Sequence, residues 1–291
     1  MGSGSWDVDS FRSYSASKGY KTNSRGVVTD SFSAQENFKA KNMDKQLSPY
    51  KVVRECIDSE EHPNTFPVQI YLDCTGSMND VAVEVAKKIS EIVTKLFDKV
   101  KDVEFLIGGI GDMAYDECPL QVTQFESDIR IAEQMDKLYF ENGGGGNGYE
   151  SYSLAWYFGL YNTKLDCFDK RGKKGVIITI GDEQLNPYIP KAGRYASMKT
   201  VLGDSLENDV ETKDLYEAAK KKFDIFHINV EHGWRSSLGS ENLPSFYTLM
   251  GKDHTRSVTV DSIADTIAEI VINAAGDTTN AEIKTSEGIS W

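Results

Sequence analysis

The feature that most constrains this chain is a regular alternation of short apolar segments with amphipathic helical segments between residues 66 and 275. The segment 67–72 is apolar except for Gln69, whereas 79–100 carries its apolar residues on one face with a period near 3.6. Strands that alternate with helices form a parallel sheet with helices on both faces. The sequence therefore predicts an α/β fold built on a doubly wound, mostly parallel sheet.

The same pattern places the remaining elements and the breaks between them. Residues 108–112 read as a turn, and residues 183–210 as an irregular insertion with two prolines. The further predicted strands are 103–107, 120–122, 176–180, 224–230 and 257–260. The further predicted helices are 128–138, one from about 150, 211–222, 242–250 and 262–275.

The alternation also divides the chain into three parts. Residues 1–65 precede it and form an extended N-terminal arm with a polar lead-in, 66–275 form the domain, and 276–291 form a polar tail. Residues 1–48 are rich in Ser, Lys, Asp and Asn and show no sustained period, so they cannot bury enough apolar area to fold alone.

The arm nevertheless carries widely spaced aromatic residues. We hypothesise that it lacks regular structure and lies along the domain or a neighbouring subunit through Trp6, Phe11 and Phe32. Assembly through this arm is therefore expected.

The charge balance excludes several classes of partner. Among 291 residues, 45 are acidic and 32 basic, which gives a net charge of −13. Such a surface repels nucleic acid phosphates and anionic lipid, so neither is an expected partner. The first residues lack the features of a secretory signal, and no apolar run approaches the ~20 residues that span a bilayer. We expect a cytoplasmic protein, or a virion protein if a phage encodes it.

The residues that suggest chemistry lie where predicted strands end. Asp73, Thr75 and Ser77 follow the first strand on alternate positions, and Asp182 follows the strand 176–180. The carboxyl ends of parallel strands meet at one edge of a sheet, where ligands bind. Carboxylate and hydroxyl oxygens are hard donors, and Mg²⁺ takes about six of them. The pattern predicts one divalent cation, Mg²⁺ or else Mn²⁺ or Ca²⁺.

Asp-x-Thr-Gly-Ser after a strand, a Gly-rich loop before a helix, and Thr-x-Gly-Asp after a later strand resemble the metal-ion-dependent adhesion site of von Willebrand factor A (VWA) domains. The resemblance covers about 210 of the 291 residues. Residues 61–64, 124–128 and 143–151 are also similar to stand-alone bacterial and phage VWA proteins. The resemblance to VWA domains implies a Rossmann-like fold in which the loop hydroxyls and the later Asp hold a metal. A Glu or Asp of a partner protein completes the coordination shell of that metal.

One departure concerns the Gly-rich loop, where many VWA domains place a Thr. Here the loop offers Asn147, Ser151, or a water held by Glu150, and we assign Asn147 as the third ligand. The expected metal ligands are thus Asp73, Thr75, Ser77, Asn147 and Asp182.

Other interpretations of these residues remain open. Asp73 suits a helix N-cap, and Asp112 is interpreted as a turn former, with a role behind the ligands as the alternative. The four histidines show no zinc spacing. A phosphohydrolase of the haloacid dehalogenase type requires an acid two residues after its nucleophile, where Thr75 stands. We therefore expect a metal-dependent protein-binding module that is not an enzyme, or alternatively a structural component of a phage or bacterial assembly.

Overall fold

The computed structural model describes residues 4–31, 33–141, 148–231 and 239–286. Its strands are β1 (Arg54–Cys56), β2 (Phe66–Asp73), β3 (Val103–Ile110), β4 (Leu120–Val122), β5 (Tyr149–Glu150), β6 (Thr163–Leu165), β7 (Gly175–Gly181), β8 (Gln184–Leu185), β9 (Tyr188–Ile189), β10 (Val210–Glu211), β11 (Phe223–Glu231) and β12 (Thr255–Thr259). Its α-helices are α1 (Val8–Ser17), α2 (Ala34–Asn37), α3 (Asn79–Phe97), α4 (Arg130–Met135), α5 (Ser153–Tyr161), α6 (Asp166–Arg171), α7 (Met198–Val201), α8 (Thr212–Ala219), α9 (Gly239–Met250) and α10 (Ile263–Ser286).

The central sheet has six strands in the order β12-β11-β7-β2-β3-β4. All neighbours are parallel except β3 and β4, which are antiparallel. The order reverses at β2, which pairs with β3 on one side and with β7 on the other. This is a doubly wound, mostly parallel sheet, and it confirms the predicted fold class. In such sheets the crevice for ligands lies at the carboxyl ends of the strands where the order reverses.

The sheet separates two hydrophobic cores. Every residue of β2, β3 and β7 is buried, as expected for strands covered on both faces. Along β7, Ile178 and Ile180 join the core formed with α1, α3, α4 and α10, whereas Ile177 joins the core formed with α5, α8 and α9. Alternate side chains of a strand point to opposite faces, so one apolar strand supplies both cores.

The predicted turn 108–112 is wrong in its first half, because β3 continues to Ile110 and pairs there with Asp73. Glycine is tolerated in this strand because the Tyr71 ring fills the place of a side chain. A Cβ on Gly108 would lie 2.3 Å from Tyr71 Cδ1.

Two further boundaries differ from the sequence prediction. The insertion 183–210 holds the short strands β8 and β9 and the helix α7. The last helix continues to Ser286 rather than ending at 275, so part of the expected polar tail is helical. Among the helices of the described ranges, none is long and apolar enough to cross a membrane.

The hypothesis that the arm lacks regular structure is wrong for residues 8–17, which form α1, and for residues 34–37, which form α2. Asp7 caps α1 by accepting a hydrogen bond from the Ser10 amide (2.8 Å). Phe11 is buried in the core that contains α3, and Trp6 is partly buried against the same core. Tertiary burial stabilises a helix that local periodicity did not reveal. Phe32 lies outside the described residues, and the domain boundary near 66 stays a prediction.

Candidate metal centre

The loop after β2 holds Asp73 and Thr75 in direct contact. Asp73 is fully buried, and its Oδ1 accepts hydrogen bonds from the Thr75 amide (2.9 Å) and the Thr75 hydroxyl (2.6 Å). A hydroxyl has one proton and two lone pairs. Because Thr75 donates its proton to Asp73, the lone pairs of its Oγ1 are left for another partner.

Tyr152 connects the ends of the two strands that flank the crevice. Its hydroxyl donates to Asp73 Oδ2 (3.1 Å) and accepts from the Glu183 amide (3.3 Å), just after β7. A Cβ on Gly181 would lie 1.9 Å from the same hydroxyl, so only glycine fits there. The sequence analysis did not identify Tyr152, although a Tyr beside the Gly-rich loop and a Gly before Asp182 were visible signals.

The electrostatic environment of Asp73 is strongly negative. Burial raises its pKa to about 7, against the lowering effect of the Thr75 hydroxyl, and the charge of Asp182 raises it further. Asp182 is itself buried. Asp73 and Asp182 therefore lie close enough to interact, as the positions of β2 and β7 in the sheet require.

Glu150 is a second buried carboxylate at this edge. Burial raises its pKa well above the ordinary value, and the charges of Asp73, Asp116 and Asp112 add to the effect. Its Oε2 is buried and has no hydrogen-bond partner within the described part of the chain. β5 pairs with β8, with Glu150 opposite Leu185, and this pairing holds the end of the Gly-rich loop beside the Asp182 loop.

Ser151 belongs to a separate network around Asp112. Its hydroxyl accepts from the Met113 amide (2.9 Å) and the Asn186 amide group (3.2 Å), and it donates to Asp112 Oδ1 (3.3 Å). All three hydrogen-bonding positions of this hydroxyl are thus used. Asp112 also accepts from the Ala114 amide (3.0 Å), which confirms its interpretation as a turn former.

Asp116 adds a further buried carboxylate beside this network. It accepts a hydrogen bond from the Asp112 amide (2.6 Å). Burial raises its pKa to about 6, and the charges of Glu141 and Asp112 contribute. A Cβ on Gly111 would lie 2.5 Å from Asp116 Oδ2, so the glycine makes this approach possible.

Three of the buried acids at this end of the sheet lack a basic partner in the described ranges. Among the described residues, no Lys, Arg or His forms an ion pair with Asp73, Asp116 or Glu150. No group of three or more His, Cys, Asp or Glu side chains in the same ranges is arranged to hold a metal by itself. A cation here would need hydroxyl and water oxygens beside one or two carboxylates, which matches the donor set Asp73, Thr75 and Asp182.

The structure thus brings Asp73, Thr75 and Asp182 to one edge of the sheet. The side chain of Ser77 and the whole of Asn147 lie outside the described residues, so their positions stay predictions, as does the metal itself. The sequence analysis also singled out the motifs 61–64 and 124–128. They meet at the amino end of the sheet, where His62 Nε2 and Ser127 Oγ are 3.2 Å apart.

No sequence model of a protein family matches the chain, and no curated protein matches it. Solved structures that are similar include the pilus adhesin SpaC of Lactobacillus rhamnosus GG, at 15% identity and a TM-score of 0.44, covering 76% of this chain and 31% of that one. Proximal thread matrix protein 1 of the mussel byssus is similar at 15% identity and a TM-score of 0.43. The match covers 77% of this chain and 47% of that one. The chain thus spans a third to a half of these two proteins. The vWF domain of the type V pili tip protein Mfa5 from Porphyromonas gingivalis is similar at 11% identity and a TM-score of 0.46. The match covers 75% of this chain and 96% of that domain.

Proposed function

We propose that this chain is a metal-dependent protein-binding module of the VWA type. The observation that carries the proposal is the pair of buried carboxylates, Asp73 and Glu150, which lack a cation within the described chain and lie where the strand order reverses. A buried carboxylate without a cation is held in its neutral form by its raised pKa, and its charged form is stable when it is paired or coordinates a metal. A divalent cation would supply the missing positive charge.

The residues that would hold the cation are Asp73, Thr75, Ser77 and Asp182, with Asn147 from the Gly-rich loop. The full engagement of the Ser151 hydroxyl argues against Ser151 as the third ligand. The orphaned oxygen of Glu150 supports the alternative in which Glu150 acts from that loop.

A bound Mg²⁺ with few protein carboxylates keeps a strong attraction for one more anionic oxygen. A Glu or Asp side chain of a protein partner fits this requirement.

The donor set favours binding over catalysis. The residue two positions after Asp73 is Thr75, whose proton is committed to Asp73 (2.6 Å). A hydroxyl held in this way does not serve as a general acid, which a phosphohydrolase would need. We therefore expect no metal-dependent hydrolysis of phosphate esters above the rate of the Asp73→Ala variant.

Water proton relaxation with Mn²⁺ tests this proposal. The full-length chain should bind one Mn²⁺ that keeps rapidly exchanging waters, and acetate, as a mimic of the partner carboxylate, should displace water and lower the enhancement. Asp182→Asn should lose the enhancement, whereas Glu104→Gln, which removes a buried carboxylate at the other end of the sheet, should retain it. Equal enhancement in Asp182→Asn would contradict the assigned site, and no response to acetate would contradict the partner chemistry.

A further inference from the structure

An open cleft of about 500 Å³ lies beside the edge strand β4, away from the candidate metal centre. Its size falls within the range of small-ligand sites, roughly 300–1,000 Å³. The charged residues among those that line it are Lys45, Arg54, Arg130, Glu133 and Lys137. Four cations and one acid therefore face this cleft in a chain whose net charge is −13.

Arg54, on β1, is one of the residues that line this cleft. Its side chain is buried, with only 5% of the residue exposed. Nη2 donates to the carbonyl oxygens of Gln46 (2.7 Å) and Val122 (3.0 Å). Nε is buried and has no hydrogen-bond partner in the described part of the chain, where no carboxylate forms an ion pair with Arg54 either. Burial accordingly lowers the pKa of Arg54.

A second buried cation, Lys222, differs from Arg54 because acceptors within the chain receive its hydrogen bonds. Lys222 is 8% exposed, and its Nζ donates to the carbonyl oxygens of Gly159 (3.1 Å) and Thr163 (2.7 Å) and to the Thr163 hydroxyl (3.1 Å). Its three protons thus have acceptors. Arg54 has five N–H groups and two recorded acceptors, both for Nη2, so most of its donors stay unused.

The other cations of the cleft extend this positive region toward solvent. Lys137 donates to Gln46 Oε1 (2.7 Å), and Lys45 is exposed and forms no ion pair with any described residue. Only Arg130 is neutralised, by Asp128 (2.8 Å) and Glu126 (3.0 Å). Three cations therefore face the cleft without a carboxylate partner from the described chain, and the acid Glu133 is exposed.

We propose that this cleft binds a small anion that carries phosphate or carboxylate groups, with Arg54 at its base and Lys45 and Lys137 at its rim. Because both Nη2 protons are already donated to carbonyl oxygens, Nη1 is the group left to donate a charge-assisted hydrogen bond to an anionic oxygen of either kind. The bound anion would supply the counter-charge that the buried guanidinium lacks. The site is independent of the metal centre and of the function proposed for it.

Titration calorimetry of the full-length chain with inorganic phosphate, and separately with citrate, tests this inference. A buffer freed of divalent ions on a chelating resin keeps such ions from binding either anion, and it adds no soluble polycarboxylate that would compete for the cleft. At least one of the two anions should bind at one site, and Arg54→Gln should weaken it about tenfold, as expected for the loss of a charge-assisted hydrogen bond. Lys45→Met, an exposed position, should weaken it about threefold without affecting folding.

Lys199→Met removes the same charge from an exposed position elsewhere and is the matched control. It should leave anion binding unchanged. Binding by phosphate alone or by citrate alone identifies the class of anion. Absence of binding by both anions, or equal weakening in Lys45→Met and Lys199→Met, would overturn the proposal, even if Arg54→Gln fails to fold.

Discussion

The two ends of the central sheet differ in how acidic side chains are balanced, with Glu104 as the exception at the amino end. At the amino end, Asp58 pairs with Arg171, and Glu126 pairs with Arg130 (3.0 Å). At the carboxyl end, Asp73 has hydrogen bonds from Thr75 and Tyr152, but no cation from the described residues accompanies it.

The acids at the two ends also differ in their pKa shifts. Burial raises the pKa of Asp58, but the hydrogen bonds from Arg171 and Thr65 outweigh it and the pKa is lowered, whereas burial keeps the pKa of Glu126 raised despite Arg130. At the carboxyl end burial and like charges raise the pKa of Asp73 and Glu150 instead. In the function that we propose, the acids without a cation at the carboxyl end are where a divalent ion binds.

The largest effect is expected from filling the contact between Gly181 and Tyr152 at the carboxyl end. A Cβ in Gly181→Ala would lie 1.9 Å from the Tyr152 hydroxyl, so the strand or the ring must shift. We expect a loss of about 3 kcal/mol of stability in urea unfolding, as for overpacked cores, together with weaker Mg²⁺ binding.

Gly276→Ala in α10 is the matched control for this substitution, because outside the neighbouring backbone no heavy atom of the described residues lies within 4 Å of the added methyl group. It should leave stability unchanged or raise it by up to about 1 kcal/mol. Similar losses in both variants would show that the contact with Tyr152 is not the cause.

The next effect concerns Glu104, a buried acid at the amino end that lacks a cation partner. Burial raises its pKa to about 7, against the lowering effects of Cys56 and His62. The folded chain therefore holds this proton more tightly than the unfolded chain, and the stabilisation is complete at low pH and lost as pH rises from about 4.5 to 7. Between these pH values the free energy of unfolding should fall by roughly 2–3 kcal/mol less in Glu104→Gln than in the wild type. Urea unfolding at several pH values in EDTA measures this difference. An unchanged pH profile in the variant would contradict the assignment.

A smaller effect is expected from breaking an ion pair at the amino end. Arg171→Met keeps much of the side-chain length but leaves the mostly buried Asp58 without its cation. Stability should fall by about 2 kcal/mol, and the fall should be the same in Mg²⁺ and in EDTA. Lys170→Met, which removes an exposed partner of Asp166, should cost less because solvent screens that pair. A loss that depended on Mg²⁺ would mean that the two ends are coupled.

Much of this arrangement could be predicted from local sequence. Hydrophobic periodicity identifies β2, α3 and β7, and strand ends in a parallel sheet bring Asp73, Thr75 and Asp182 to one edge. The helix α1 could not be predicted, because its stability comes from burying Phe11 against α3 rather than from its own pattern.

The sequence analysis also did not predict that Glu150 Oε2 lacks a hydrogen-bond partner among the described residues. Nor did it predict the hydrogen bond from the Tyr152 hydroxyl to Asp73. Whether a polar atom has a partner depends on neighbours that are distant along the chain, as Tyr152 and Asp73 are. Long-range packing decides such contacts, and no local motif records it.

The most direct test of the central claim is calorimetric titration of the full-length chain with Mg²⁺. The contrast between the two ends predicts one bound ion per chain in the wild type, loss of binding in Asp73→Asn, and retention in Glu104→Gln, which removes a buried carboxylate from the amino end. Equal Mg²⁺ binding by the wild type and Asp73→Asn, or its loss in Glu104→Gln alone, would contradict the assignment of the metal centre to the carboxyl end of the sheet.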